Sequence, residues 1–178
     1  MADKGNPSKI EELKRSSNLL RGTIAEELAD TSVPTVTEDS ANLLKTHGTY
    51  QQDDRDHRGD AKVYSFMVRS RVPGGKVTAA QFLAELDICD KFGNGTLRIT
   101  DRQGFQLHGV VKTNLKETIR GINAIKLSTL AACGDVCRNV MACPAPIKNK
   151  SAFAEMQDLA DRLAHHFRPR TNAYYEIW

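Results

Sequence analysis

Residues 96–109 read TLRITDRQGFQLHG, and they place two arginines, a threonine, a glutamine and a histidine between apolar residues of strand type. In a strand, successive side chains point to opposite faces. If Leu97 and Ile99 face a core, Arg98 and Thr100 face away from it. If Phe105 and Leu107 face the core, Gln106 and His108 share the opposite face. Arg102 falls in the tight DRQG connection, so a hairpin brings these side chains together. Arg69 and Arg71 extend the pattern on a preceding strand. Arginine forks match carboxylates and phosphates bidentately and keep their charge when partly buried. A single such arginine is ordinary surface charge. Several on one sheet face with Gln and His point to a polyanionic ligand carrying several carboxylates or phosphates.

The elements that position these residues are legible nearby. VYSFMVRSR (63–71) alternates as a strand, with Tyr64, Phe66 and Val68 on one face and Ser65, Met67, Arg69 and Arg71 on the other. VPGGK (72–76) is a turn. Thr78 with Gln81 forms a capping box for a helix. That helix carries Phe82, Leu83, Leu86 and Phe92 as its apolar stripe, and GNG (93–95) ends it. TLRIT and FQLHGVV (105–111) follow as strands. Asn114 caps a second helix with Leu115, Ile119 and Ile122 at helical spacing. The order β-α-β-β-α makes residues 61–127 a ferredoxin-like half-domain of the α+β class. Residues 1–60 read as an irregular arm with short helices at Lys9–Asn18 and Thr23–Asp30. TSVPTVTEDS (31–40) reads as loop, and the charged HGTYQQDDRDHRG (47–59) reads, from composition, as a linker. Residues 128–147 read as loop with room for one strand, and a helix over about Ser151–Phe167 turns Phe153, Met156, Leu159 (or Ala160) and Leu163 inward.

Bulk properties narrow the function classes. The chain has 178 residues, 40% hydrophobic and 26% charged, with a net charge of +3. This is ordinary globular composition, long enough for a domain with its own core. No Lys/Arg block dominates, and the outward sheet positions lack the aromatics on which bases stack, so a nucleic-acid partner is not expected. No run approaches the ~18 apolar residues of a membrane span. The start lacks a secretory h-region, so a cytoplasmic protein with reduced cysteines is expected. Cys133, Cys137 and Cys143 have spacings that invite an iron–sulfur reading. Only three thiols are close, however, and Cys89 falls in a helix, so free thiols are the simpler reading. The apolar end, TNAYYEIW, is unusual for a terminus and reads as a place where a larger fold continues.

Four segments carry a family resemblance: YQQDDRD (50–56), SFMVRSRVPGGKV (65–77), GTLRITDRQGFQLHG (95–109) and CGDVCRNVMACPAP (133–146). In this order they resemble the amino-terminal part of the assimilatory sulfite and nitrite reductases. HGTYQQDDRD and RTNAYYEIW are most similar to the sulfite reductase hemoproteins, and the Y-S-F-M-x-R and C-G-D spellings to the ferredoxin-dependent type. The resemblance implies siroheme, a macrocycle with eight carboxylates, coupled to a 4Fe–4S cluster, and the six-electron reduction of sulfite to sulfide. It implies that Arg98, Thr100, Arg102, Gln106 and His108 hold siroheme carboxylates, and that Arg69 and Arg138 bind the substrate anion. It implies no metal ligand here, since the cluster cysteines lie downstream of Trp178 in the family. It makes 128–178 the beginning of a siroheme- and Fe–S-binding α/β domain, with ferredoxin or an NADPH flavoprotein subunit as electron donor. It also packs the YQQDDRD loop near the active site, against the linker reading. The other readings are a nitrite reductase of the same family and a non-catalytic anion- or RNA-binding module. Two positions depart from the family pattern: Cys137 stands where Asn is usual, and Gly104 where Thr is frequent.

Overall fold

The computed structural model describes residues 7–53, 62–144 and 150–178. Its centre is a four-stranded antiparallel sheet of order β1-β2-β4-β3, built from β1 (Thr49–Asp53), β2 (Tyr64–Ser70), β3 (Leu97–Ile99) and β4 (Phe105–Val110). Three of these strands follow the alternation described above. β1 is a correction: its polar YQQD residues form the edge strand beside β2, with Tyr50 opposite Met67 and Gln51 opposite Phe66. Polar composition hid it, because an edge strand needs only one face covered. The rest of the charged stretch, 54–59, lies outside the described residues.

Helices α1 (Lys9–Ser16), α2 (Ile24–Ala29) and α3 (Glu38–Thr46) precede the sheet. α3 takes in the end of the stretch read as loop: Thr37 accepts from Ser40 N, and Leu43 and Leu44 are buried. α4 (Ala79–Phe92) begins at the expected capping box, Gln81 N donating to Thr78 Oγ1 at 3.1 Å. Its buried face differs from the expected stripe. Glu85, Ile88 and Cys89 turn to the sheet, while Phe82 and Leu83 are exposed. A central glutamate breaks the apolar periodicity on which the reading rested. α5 (Leu115–Ala124) buries Leu115, Ile119 and Ile122 as expected, but Asn114 makes no side-chain cap and belongs to a 3-10 turn, Lys112–Asn114. α4 and α5 approach closely at Gly121, where a Cβ would lie 3.0 Å from the Ile88 side chain.

α6 (Lys150–His166) presents its small residues to the fold. Ala160 and Ala164 are buried, and Gln157 Nε2 donates to the Pro73 carbonyl at 2.9 Å. The expected inward stripe therefore faces out: Met156, Leu159 and Leu163 are exposed. α7 (Ala173–Ile177) returns the apolar end to the core, burying Tyr174, Ile177 and Trp178 in one cluster with Leu44, Phe66 and Leu107. The hydrophobic ending is thus accounted for by packing. The Tyr174 hydroxyl accepts from Thr129 N at 3.1 Å and donates to Asn123 Oδ1 at 3.0 Å. No helix among the described residues is long and apolar enough to cross a membrane.

Two buried titratable groups lock this core. His47 Nδ1 accepts from the Trp178 indole at 3.0 Å, which puts its proton on Nε2, 2.9 Å from the Leu20 carbonyl. Burial pushes its pKa down to about 4. The unfolded chain then takes up the proton first, so the stability due to neutral His47 is complete above pH ~6.5 and is lost as pH falls toward 4. Glu85 has the opposite sign. Burial raises its carboxyl to about 7, opposed by a hydrogen bond from Ser70. Its stabilising protonated form is present below pH ~4.5 and is lost as pH rises through 7. Glu85→Gln is therefore expected to raise stability at pH 8 by up to about 3 kcal/mol and to leave it nearly unchanged at pH 4.5. Chemical denaturation at the two pH values checks this.

Candidate anion-binding site

The register fixes the central row of the site. Arg69 of β2 lies opposite Gln106 of β4, and Gln106 lies opposite Arg98 of β3. Directly opposed residues of an antiparallel pair share a face, so the three side chains stand side by side. The Gln106 amide oxygen accepts from Arg69 Nε at 2.9 Å.

Thr100 and Arg102 follow at the β3–β4 turn. The turn is tied by Thr100 N to Gly104 O at 2.8 Å, Gln103 N to Thr100 O at 2.9 Å, and Gly104 N to Thr100 Oγ1 at 3.1 Å. Thr100 Oγ1 serves as an acceptor inside the turn and keeps its own proton for a ligand. Gly104 packs against the Ser70 carbonyl, which a Cβ would meet at 2.8 Å. The departure to glycine thus brings the turn close to β2.

Arg138 reaches the sheet on the segment 133–144, which three side chains dock. Arg71 Nη2 donates to the Arg138 carbonyl at 3.0 Å. Asn139 Nδ2 donates to the carbonyls of Val72 and Arg102, both at 2.7 Å. Gln103 exchanges two hydrogen bonds with Ala142, at 2.7 and 3.1 Å. Arg71 therefore does not extend the arginine face as its place in the alternation suggested. It is buried and supports Arg138 from behind, bridging to Ser128 rather than to β4.

These elements enclose a cavity of about 460 Å³ lined by Arg69, Arg98, Thr100, Arg102, Gln106 and Arg138. Among the described residues, none of the four guanidiniums forms an ion pair within 4 Å. Asp101 is the single acid in the lining. His108 stands two residues along β4 from Gln106, half-buried and outside the lining. Its Nε2 is buried without a partner among the described residues. Burial, then Arg98 and Arg69, lower its pKa, so the imidazole is neutral at physiological pH.

Sequence reasoning missed Tyr50 and the environment of Cys133. The Cys133 thiol is fully buried, hydrogen-bonded with Tyr50 and Arg69, and beside Arg138. Burial outweighs the two cations and pushes it up to about 11. Tyr50 is raised by burial and by Cys133, against a hydrogen bond from Gly134. The alternation would have found Tyr50 had β1 been recognised, since Tyr50 faces Met67, which lies on the Arg69 side of β2. No group of three or more His, Cys, Asp or Glu among the described residues could hold a metal ion.

The helices α4 and α5 cover the face of this sheet opposite the arginines, and residues 58–125 match the family model described as the nitrite/sulfite reductase ferredoxin-like half domain. The chain is 48% identical over 183 residues to the sulfite reductase (NADPH) hemoprotein beta-component of Anoxybacillus flavithermus, covering 99% of this chain and 32% of that protein. It is 48% identical to the sulfite reductase (NADPH) subunit beta of Saccharomyces cerevisiae, covering 99% of this chain and 13% of that one. Among solved structures, the NirA protein of Mycobacterium tuberculosis superposes with a TM-score of 0.67 at 28% identity, covering 78% of this chain and 28% of that chain. The chain spans about a third of the length of the bacterial relatives it matches.

The burial pattern sets a labelling outcome. Cys137 and Cys143 are exposed, whereas Cys89 and Cys133 are buried. Iodoacetamide at pH 7.5 should alkylate Cys137 and Cys143 within minutes, and reach Cys89 and Cys133 only after denaturant is added. Mass spectrometry of the tryptic peptides reads the order, and rapid labelling of Cys133 would show that the 133–144 segment is not docked as described.

Proposed function

We propose that this chain supplies the amino-terminal part of a sulfite reductase hemoprotein that reduces sulfite to sulfide. The observation that carries the reading is the cavity with four guanidiniums and no ion-paired carboxylate. Such a cluster is costly unless an anion completes it. The donor set suits a polycarboxylate: Arg98 and Arg102 offer forks, Thr100 a free hydroxyl proton, and Gln106 its amide. His108 offers an orphaned ring nitrogen. These five would hold siroheme carboxylates. Siroheme coupled to a 4Fe–4S cluster would relay the donor's six electrons to sulfite, its cluster thiolates expected from beyond these residues.

Arg69 and Arg138 would bind the substrate oxyanion. Arg69 is oriented by Gln106, and Arg138 by the bond from Arg71 to its carbonyl. Their guanidiniums would favour negative charge on the substrate oxygens. In this reading 1–60 is an arm, 61–127 the half-domain and 128–178 the start of the siroheme- and Fe–S-binding domain. The relatives' names favour sulfite over nitrite. They also favour an NADPH flavoprotein as electron donor over the ferredoxin that two sequence spellings suggested. A cytoplasmic location accords with reduced cysteines.

Titration of siroheme into the 178-residue chain, followed by the cofactor's absorption, tests the reading. Arg98→Gln and Arg102→Gln are each expected to weaken binding about tenfold or more, the loss of a charge-assisted hydrogen bond. Lys116→Gln, on the exposed side of α5, is expected to leave it unchanged. Equal affinity in all four proteins would overturn the assignment.

A further inference from the structure

Arg71 borders a second cavity. It is 6% exposed, its Nε is buried without a partner, and the one side-chain hydrogen bond of its guanidinium among the described residues goes to the Arg138 carbonyl. Burial lowers its pKa, as does the nearby Arg168, against an opposing contribution from Cys137. Buried arginines are rarely left without a counter-charge.

The cavity, about 270 Å³, is lined by Arg71, Lys126, His165 and Arg168, together with Asp161. Asp161 accepts from Gln157 Nε2 at 3.2 Å and lies within 4 Å of no cationic nitrogen among the described residues. Arg71, Lys126 and Arg168 form no ion pair among those residues either. The cavity shares no lining residue with the Arg69–Arg98 site. It adjoins a cleft of about 990 Å³ through Arg168 and His165, where Arg170 and His166 add further basic groups. A small anion therefore has an entrance of like character.

We propose that Arg71, Lys126 and Arg168 form a second anion site, for a small inorganic oxyanion of the sulfate or phosphate class. The volume admits such an ion with water and is small for a nucleotide or a macrocycle. An anion here neutralises the Arg71–Arg168 pair. Because Arg71 also holds the Arg138 carbonyl, occupancy braces the segment that carries Arg138 into the first site. The site stands independently of the reductase reading, since it rests on Arg71 and its neighbours alone.

The test is equilibrium dialysis with radiolabelled sulfate at constant ionic strength, on the chain carrying Arg69→Gln and Arg138→Gln so that the oxyanion position of the first site is removed while the Arg138 carbonyl that Arg71 holds is kept. Far-UV circular dichroism establishes that each variant is folded. One sulfate per chain is expected, with affinity falling about tenfold or more on adding Arg168→Gln or Lys126→Gln. Phosphate should compete and chloride should not. Arg168 and Lys126 are chosen because neither is buried like Arg71, whose loss would disturb the core. Sulfate uptake unchanged by Arg168→Gln would overturn the proposal. So would no uptake in the folded chain, the outcome expected if these cations instead await a carboxylate of another protein segment.

Discussion

Unpaired positive charge on a sheet face is the constraint from which the rest of this structure follows. Arg69, Gln106 and Arg98 lie in one row across three strands because the antiparallel register places them there. Adjacent guanidiniums repel, and in a partly buried site that repulsion is weakly screened. The fold holds them with rigid neighbours. Gln106 accepts from Arg69, the turn is closed on itself through Thr100 and Gly104, and Asn139 ties the carbonyl of Arg102 to the segment carrying Arg138. What results is a concave set of donors organised before any ligand arrives, which lowers the ordering cost of binding.

The core beneath the row serves the same end. Glu85, in the centre of α4, meets Ser70 immediately after Arg69. Its raised pKa keeps it neutral over the acidic range, so it does not act as a buried counter-charge to the arginines there. The Cys133 thiol is likewise neutral at physiological pH. Asp101 is then the one acid in the lining of the cationic cavity, and it forms no ion pair with these arginines among the described residues, leaving an incoming anion as the natural counter-charge. The bacterial relatives fit this economy, since they are named as hemoproteins and a heme carries carboxylates.

Much of this was legible in the sequence, and the exceptions have physical reasons. Alternation in 63–71 and 105–111 located β2 and β4 because each has one apolar face. It could not locate β1, whose exposed edge carries Gln and Asp. The apolar stripes assigned to α4 and α6 failed because those helices bury Glu85 and small alanines rather than their largest side chains. Six of the seven site residues came together in one cavity: strand alternation and a tight turn dictate the convergence of five, and docking of the 133–144 segment adds Arg138. Tyr50, Cys133, Gln103 and Asn139 were not foreseen. Their roles depend on how the 133–144 segment docks, a long-range contact that no local pattern encodes. Arg71 shows the same limit: its strand position suggested the ligand face, while its bridge to Ser128 turned it into a buried support for Arg138.

On the proposed reading, Arg98, Thr100, Arg102, Gln106 and His108 would hold a carboxylate-rich macrocycle, and Arg69 and Arg138 an oxyanion. An absorption spectrum of the protein purified from cells making siroheme, expressed at the full length of its relatives, tests it most directly. Siroheme bands that shift on addition of sulfite are expected. A folded protein that stays colourless, or a bound chromophore indifferent to sulfite, would contradict the account.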